Sequence, residues 1–109
     1  MTDIEEIIDK LIKFRNERDW EQFHNSKDLA VAISVEANEL LELFLWKQPE
    51  EANKQKIKEE LADIFAFAFI LAHNQGIDVK EILLKKIKAN AEKYPVNKAK
   101  GTAKKYDEL

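Results

Sequence analysis

The chain contains no cysteine, and this absence excludes disulfide bonds, zinc–thiolate sites and a cysteine nucleophile. Its net charge is only −3, so no overall field attracts it to nucleic acid or to an anionic membrane. The longest apolar run, Ile64 to Ala72, is too short to span a bilayer. The N-terminus has acids early and lacks the basic-then-apolar pattern of a signal peptide. These absences predict a cytoplasmic protein with neither nucleic-acid nor membrane partners.

Strand signals and a glycine-rich phosphate loop are also lacking, whereas apolar residues recur at helical spacing along most of the chain. The 109 residues, of which 45% are hydrophobic and 36% charged, predict one ordered domain. A domain of this size can bury a core but gains stability from oligomerisation. We therefore expect an all-α four-helix bundle that assembles as a dimer or tetramer.

Capping residues set the ends of the predicted helices. The helices run from the N-cap Thr2 to about Arg18, from the N-cap Ser26 to about Trp46, from Pro49 at N1 to about Asn74 with Gly76 at C′, and from the N-cap Asp78 to about Lys93. Residues 19–25 are predicted to form a loop or short helical turn. Pro95 ends the fourth helix, so residues 1–95 form the helical domain and residues 96–109 a basic C-terminal arm.

The second predicted helix is apolar on two sides. Leu29 marks one side, and four apolar residues lie away from it: Val31, Val35, Leu41 and Leu45. A helix that is buried on two sides in so short a chain indicates a subunit interface.

Four carboxylates occupy matched positions on the second and third predicted helices. At 100° per residue, Glu36 lies within the apolar stripe that contains Leu29, and Glu39 lies at the border of that stripe. Glu60 lies in the middle of the stripe on the third helix, and Asp63 is one step away. Because burying an unpaired carboxylate is costly, these ExxE and ExxD pairs indicate a cation site.

The ligand chemistry of this site narrows the choice of cation. Carboxylate oxygens without soft ligands favour Mg²⁺ or Mn²⁺ over zinc or copper. Magnesium usually completes its shell with water and substrate phosphates, which points to a phosphorylated ligand. The alternative is that the acids are solvated or paired with the many lysines. Spacing alone leaves both interpretations open.

Four segments together resemble the MazG-like family of all-α nucleoside triphosphate pyrophosphohydrolases. They are EANELLELFLW at residues 36–46, EELADI at 59–64, FRNERDWEQFH at 14–24 and KIKANAEKYP at 86–95. The segment at 14–24 is similar to the dCTP pyrophosphatase branch, and the last to the family's closing K-x-x-x-N-x-x-K-Y-P motif. Asn38 departs from the pattern, since the dCTP branch commonly has glycine there, and this bears on pocket shape and base preference.

The resemblance implies a magnesium site and a reaction. Its metal ligands would be Glu36, Glu39, Glu60 and Asp63. The reaction would be hydrolysis of a (d)NTP, a dCTP-like deoxynucleotide in the closest branch, between the α- and β-phosphates to a monophosphate and pyrophosphate. The assembly would be a dimer of dimers with its sites between subunits.

The fourth helix supplies predicted substrate contacts. Lys86 and Asn90 share a helix face at i,i+4, and with Lys93 and Tyr94 they are expected to contact phosphate and sugar. Lys86 is also predicted to act in catalysis by meeting charge on the leaving group. We hypothesise that Glu39 deprotonates the attacking water.

Three residues of the N-terminal half are candidates for contact with the nucleobase of the substrate. Trp20 and Trp46 either stack on it or pack within the domain, and His24 either bonds the base or a phosphate or is a loop histidine. Two other functions stay open: a non-catalytic nucleotide- or metal-binding regulator, and a helical interaction module whose acids meet a basic partner.

Overall fold

All regular structure in this protein is helical, which confirms the all-α prediction. The structure is a computed structural model that describes residues 1–109. Its helices are α1 (Asp3–Glu17), α2 (Ser26–Glu42), α3 (Lys54–Asn74), α4 (Val79–Lys93) and the short α5 (Val96–Ala99). Single 3-10 turns lie at Glu21–Phe23, Pro49–Glu51 and Tyr106–Glu108. No helix combines the length and the hydropathy that a membrane span requires.

The chain forms two compact units, Met1–Ile77 and Asp78–Leu109. In the first unit, α3 packs against both α2 and α1. Its most buried apolar side chains are Leu29 on α2 and Ile70 on α3, which are 1% and 5% exposed. The predicted division into residues 1–95 and 96–109 stays a prediction.

The start of α1 agrees with the sequence. The Thr2 hydroxyl accepts a hydrogen bond from the Glu5 backbone N–H at 3.2 Å, and the Glu5 carboxylate accepts one from the Thr2 N–H at 2.9 Å. This reciprocal capping box satisfies backbone donors that the helix itself leaves free.

The predicted bounds of α2 were wrong at both ends. Asn25, not Ser26, is the N-cap, because its side-chain oxygen accepts the Asp28 N–H at 2.8 Å; Asn caps a helix as well as Ser does. The helix ends at Glu42, four residues before Trp46. Trp46 has φ +62°, a left-handed conformation that an α-helix cannot contain.

The predicted start of α3 was also wrong. Pro49 begins the separate 3-10 turn Pro49–Glu51. The extended backbone of Ala52 then separates this turn from α3. Asn53 is the N-cap, since its side-chain oxygen accepts the Lys56 N–H at 3.0 Å. The end of α3 is as expected: Gly76 has φ +66°, and the N–H groups of Gly76 and Ile77 bond to the carbonyls of His73 and Ala72. This is a Schellman motif, and it places Gly76 at C′.

The second unit consists of α4 and the C-terminal segment. Asp78 caps α4 as predicted, because its carboxylate accepts the Glu81 N–H at 2.9 Å. The C-terminal segment, predicted as a basic arm, contains α5 and a 3-10 turn. Tyr106 of that turn packs edge-on against Tyr94, with ring centroids 6.2 Å apart, and the Lys93 ammonium lies 5.1 Å from the Tyr106 ring centroid.

Candidate metal centre and adjoining cavities

Three of the four predicted metal ligands converge in the first unit. Glu36 comes from α2, and Glu60 and Asp63 come from α3. One carboxylate oxygen of each residue lies within 4.8 Å of the other two. We call these three residues the acid cluster. Two helices in contact therefore bring together carboxylates that are far apart in the sequence.

The carboxylates of the acid cluster are unfavourably placed, because two of them are partly buried and all three repel one another. Oε2 of Glu36 and Oε2 of Glu60 are buried and have no hydrogen-bond partner. Burial raises the pKa of Glu36 from 4.5 to about 7, aided by the neighbouring carboxyl groups of Glu60 and Glu39 and by repulsion from Glu39 and Asp63. The protein alone therefore holds Glu36 partly protonated at neutral pH.

These features fit a hard divalent cation. A cation would take the place of the proton on Glu36, give the two buried oxygens a partner and offset the repulsion between the carboxylates. The donor set contains only carboxylate oxygens, which Mg²⁺ and Mn²⁺ prefer. Glu39, the fourth predicted ligand, lies outside the 4.8 Å group, but it is near enough for its charge to raise the pKa of Glu36.

A polar cavity of about 580 Å³ adjoins the acid cluster where α2 leads into α3. We call it the acid–lysine cavity. Its lining residues are Glu39, Glu42, Leu43, Lys47, Asn53, Lys56, Glu59 and Glu60. Glu60 thus belongs to both the acid cluster and this cavity.

A second cavity, of about 280 Å³, adjoins the acid cluster at Asp63. Most of its wall is apolar or aromatic, so we call it the aromatic cavity. It is lined by Leu11, Phe14, Arg15, Trp20, His24, Asp63, Ala66, Phe67 and Ile70. The rings of Phe14 and Trp20 meet edge to face at 5.7 Å, and those of His24 and Phe67 at 6.3 Å.

A hydrogen-bonded chain holds one wall of the aromatic cavity. Arg15 is only 3% exposed, and its Nη1 donates to Oδ1 of Asn74 at 3.0 Å. Nδ2 of Asn74 in turn donates to the carbonyl of His24 at 2.7 Å. Burial, and then the charge of Arg15, lower the pKa of His24. The imidazole is therefore neutral near pH 7, and its buried Nδ1 has no protein partner.

The structure brings some predicted substrate contacts together and not others. Trp20 and His24 share the aromatic cavity with Asp63. Trp46 is 99% exposed and lines neither cavity. The predicted contacts Lys86, Asn90, Lys93 and Tyr94 belong to the second unit, and their roles stay predictions. Asn38 donates to the Ser34 carbonyl at 3.0 Å.

The site residues predicted from the sequence did not include three charged residues at these cavities. Arg15 follows Ile8 and Leu11 on the apolar stripe of α1, so the signal that identified Glu36 was also present there. Lys47 and Lys56 carried no such signal. Lys47 lies beyond the end of α2 and Lys56 in the first turn of α3, and only the folded turn places both on one cavity.

Comparisons with known proteins identify the family. Residues 31–109 match the model of the MazG-like family, and the chain belongs to that family. It is 39% identical to dCTP pyrophosphatase 1 of Bos taurus and 36% identical to that of Homo sapiens, in each case over an alignment of 105 positions that covers 89% of this chain. The chain spans 62% of the length of these relatives.

A solved structure extends this similarity to the fold. The crystal structure of a pyrophosphatase from Archaeoglobus fulgidus matches with a TM-score of 0.81 and 35% sequence identity. The match covers 87% of this chain and 94% of the archaeal one. The helical arrangement described above is therefore that of a MazG-like protein.

Proposed function

We propose that this protein is a magnesium-dependent nucleoside triphosphate pyrophosphohydrolase. It converts a (d)NTP, of which dCTP-like deoxynucleotides are the proposed class, to the monophosphate and pyrophosphate. The observation that carries the proposal is the acid cluster, with two buried oxygens that lack partners, set between a polar and an aromatic cavity. The relatives named dCTP pyrophosphatase and pyrophosphatase support this reaction class.

The proposed reaction is an attack of water on the α-phosphorus. The new bond joins the water oxygen to that phosphorus, and the bond from the α-phosphorus to the bridging oxygen breaks, so pyrophosphate leaves. Mg²⁺ or Mn²⁺ held by Glu36, Glu39, Glu60 and Asp63 would neutralise the phosphates and acidify the water. We propose Glu39 as the acceptor of the water proton and Lys86 as a cation that meets charge on the leaving group.

We place the base of the substrate in the aromatic cavity. Trp20 offers an aromatic face at the wall, and 43% of its surface is exposed. The neutral His24 has an Nδ1 without a partner, which suits a hydrogen bond to a base edge. A hydrogen bond at a buried polar atom discriminates bases more strongly than apolar contact does.

We further propose that the protein is a homo-oligomer, with a dimer of dimers as the expected form. The four apolar side chains that predicted an interface are all exposed in the single chain. Val31, Val35, Leu41 and Leu45 are 52%, 48%, 56% and 44% exposed. Large apolar side chains that are exposed in this way are typical of an association face.

A panel of dNTPs and NTPs, scored for pyrophosphate release with and without Mg²⁺, tests the enzyme proposal. We expect release from at least one deoxynucleotide, with loss of activity in Glu60→Gln. The matched control is Glu50→Gln, an exposed acid of the Pro49–Glu51 turn that lines neither cavity. Absence of pyrophosphate release from every nucleotide would contradict the proposal, and nucleotide binding without release would favour the regulator alternative.

A further inference from the structure

Two cationic side chains share a cavity with two of the proposed metal ligands. Lys47, from the turn after α2, and Lys56, from the first turn of α3, line the acid–lysine cavity together with Glu39 and Glu60. The ion pairs of the structure that are shorter than 4.0 Å involve other residues: Lys10–Glu6, Lys13–Glu17, Arg15–Glu21 and Lys85–Glu81. The ammonium groups of Lys47 and Lys56 are therefore not committed to a carboxylate.

The acid cluster connects two cavities of opposite character. Asp63 lines the aromatic cavity, and Glu60 lines the acid–lysine cavity. A ligand that reaches both cavities must have a flat, largely apolar end and a strongly anionic end, with a cation-binding group between them. A nucleoside triphosphate has this order, because its base, its α-phosphate and its two outer phosphates follow one another.

We propose that Lys47 and Lys56 bind the β- and γ-phosphates and hold the leaving pyrophosphate in the acid–lysine cavity. The base then lies in the aromatic cavity and the α-phosphate lies at the acid cluster. This proposal rests on the proposed function and deepens it, since it fixes the direction of the substrate. It also explains why the bond beside the α-phosphate is the one that breaks.

Charge balance requires such cations. Four carboxylates line the acid–lysine cavity, and two of them, Glu42 and Glu59, are not proposed metal ligands. Without local cations they would repel the outer phosphates, which lie furthest from the acid cluster. Ammonium groups are compact, mobile cations that suit phosphate oxygens, and both lysines are exposed on flexible stems that can reach into the cavity.

Two other polar side chains near the two cavities, those of Asn53 and Arg15, are already engaged. The side-chain oxygen of Asn53 accepts a hydrogen bond from the Lys56 backbone N–H at 3.0 Å. Arg15 donates to Asn74 and Asn16 and lies 3.9 Å from a carboxylate oxygen of Glu21. The largely apolar aromatic cavity also disfavours a polyphosphate. Lys47 and Lys56 are thus the cations best placed for the outer phosphates within the first unit.

Pyrophosphate binding tests the proposal without reliance on turnover. Magnesium pyrophosphate is titrated calorimetrically into wild type, Lys47→Gln, Lys56→Gln and the double variant. Each single change is expected to weaken binding about tenfold, and the double change more, because each removes one charge-assisted contact. Lys58→Gln is the matched control, since Lys58 is also exposed on α3 but lines neither cavity.

The outcomes separate this proposal from the proposed function. If wild type releases pyrophosphate from a dNTP while the double variant binds pyrophosphate as tightly as wild type, the lysine proposal is overturned and the enzyme proposal stands. If wild type hydrolyses no nucleotide, but pyrophosphate affinity falls in the variants of Lys47 and Lys56 and not in the control, the enzyme proposal fails and the lysine site stands. If wild type does not bind pyrophosphate, or Lys58→Gln weakens binding equally, the lysine proposal is also overturned.

Discussion

Arg15 and Glu36 are two charges on otherwise apolar helix stripes, and the protein treats them differently. Arg15 is 3% exposed, but Asn74 and Asn16 accept its hydrogen bonds and Glu21 lies nearby. Glu36 has a buried oxygen without a partner and a pKa raised to about 7, chiefly by burial. A buried charge with protein partners is part of the fold, whereas one without them awaits a ligand.

The first prediction removes the unpartnered charge. Glu36→Gln is expected to lower kcat/KM for the best dNTP about 1,000-fold, since one ligand of the proposed metal site is lost. The same change is expected to leave the metal-free protein folded and at least as stable at pH 8, because it deletes a carboxylate that repels its neighbours. Steady-state kinetics and urea unfolding measure the two effects. If Glu36→Gln does not fold, Glu36 is a charge that the fold requires, as Arg15 is.

The second prediction concerns Glu39, which neighbours Glu36 but lines the open acid–lysine cavity. If Glu39 accepts the water proton, Glu39→Gln lowers kcat about 100-fold at saturating magnesium. The control is Glu42→Gln, which alters another acid of the same cavity. Full turnover by Glu39→Gln would exclude this role.

The third prediction removes the partnered charge. Arg15→Met is expected to lower the free energy of unfolding by about 3 kcal/mol, because Asn74 and the His24 segment lose a buried partner. Arg18→Met is the control. Arg18 lies 3.7 Å from the Phe14 ring centroid on the surface, and its loss should cost about 0.5 kcal/mol. Equal effects in urea unfolding would remove the distinction between the two arginines.

The fourth prediction follows from the pKa of Glu36. Because the folded protein binds this proton more tightly than the unfolded chain does, the contribution of Glu36 to stability is fully present below pH 4.5 and is lost as pH rises through about 7. After allowance for solvent screening, the loss is about 1 kcal/mol. Urea unfolding of metal-free wild type and Glu36→Gln across this range isolates the effect as the difference between the two curves. Parallel curves would contradict it.

The contrast between Arg15 and Glu36 also shows how much of the structure can be predicted from the sequence. Helical period and capping chemistry found α1, the Schellman end of α3, and the charged position Glu36, because each depends on neighbours within one helix. Helical periodicity alone could not show that Arg15 has protein partners and Glu36 has none, since partners such as Asn74 come from another helix. The same signal on α1 was therefore passed over.

The wrong helix ends have a related cause. Asn25 and Ser26 are both good caps, and Pro49 and Asn53 are both plausible starts, so local preference could not choose between them. The two cavities were beyond prediction for a stronger reason. Lys47 and Lys56 belong to one cavity only after the chain between α2 and α3 has folded.

Calorimetric titration of Mg²⁺ into metal-free protein at pH 8 tests most directly whether the acid cluster is a metal centre. Wild type is expected to bind Mg²⁺ saturably. Glu60→Gln should lose that binding, and Glu50→Gln should keep it, since Glu60 has a buried oxygen without a partner and Glu50 lies outside the cluster. Identical titrations for wild type and Glu60→Gln would contradict the account.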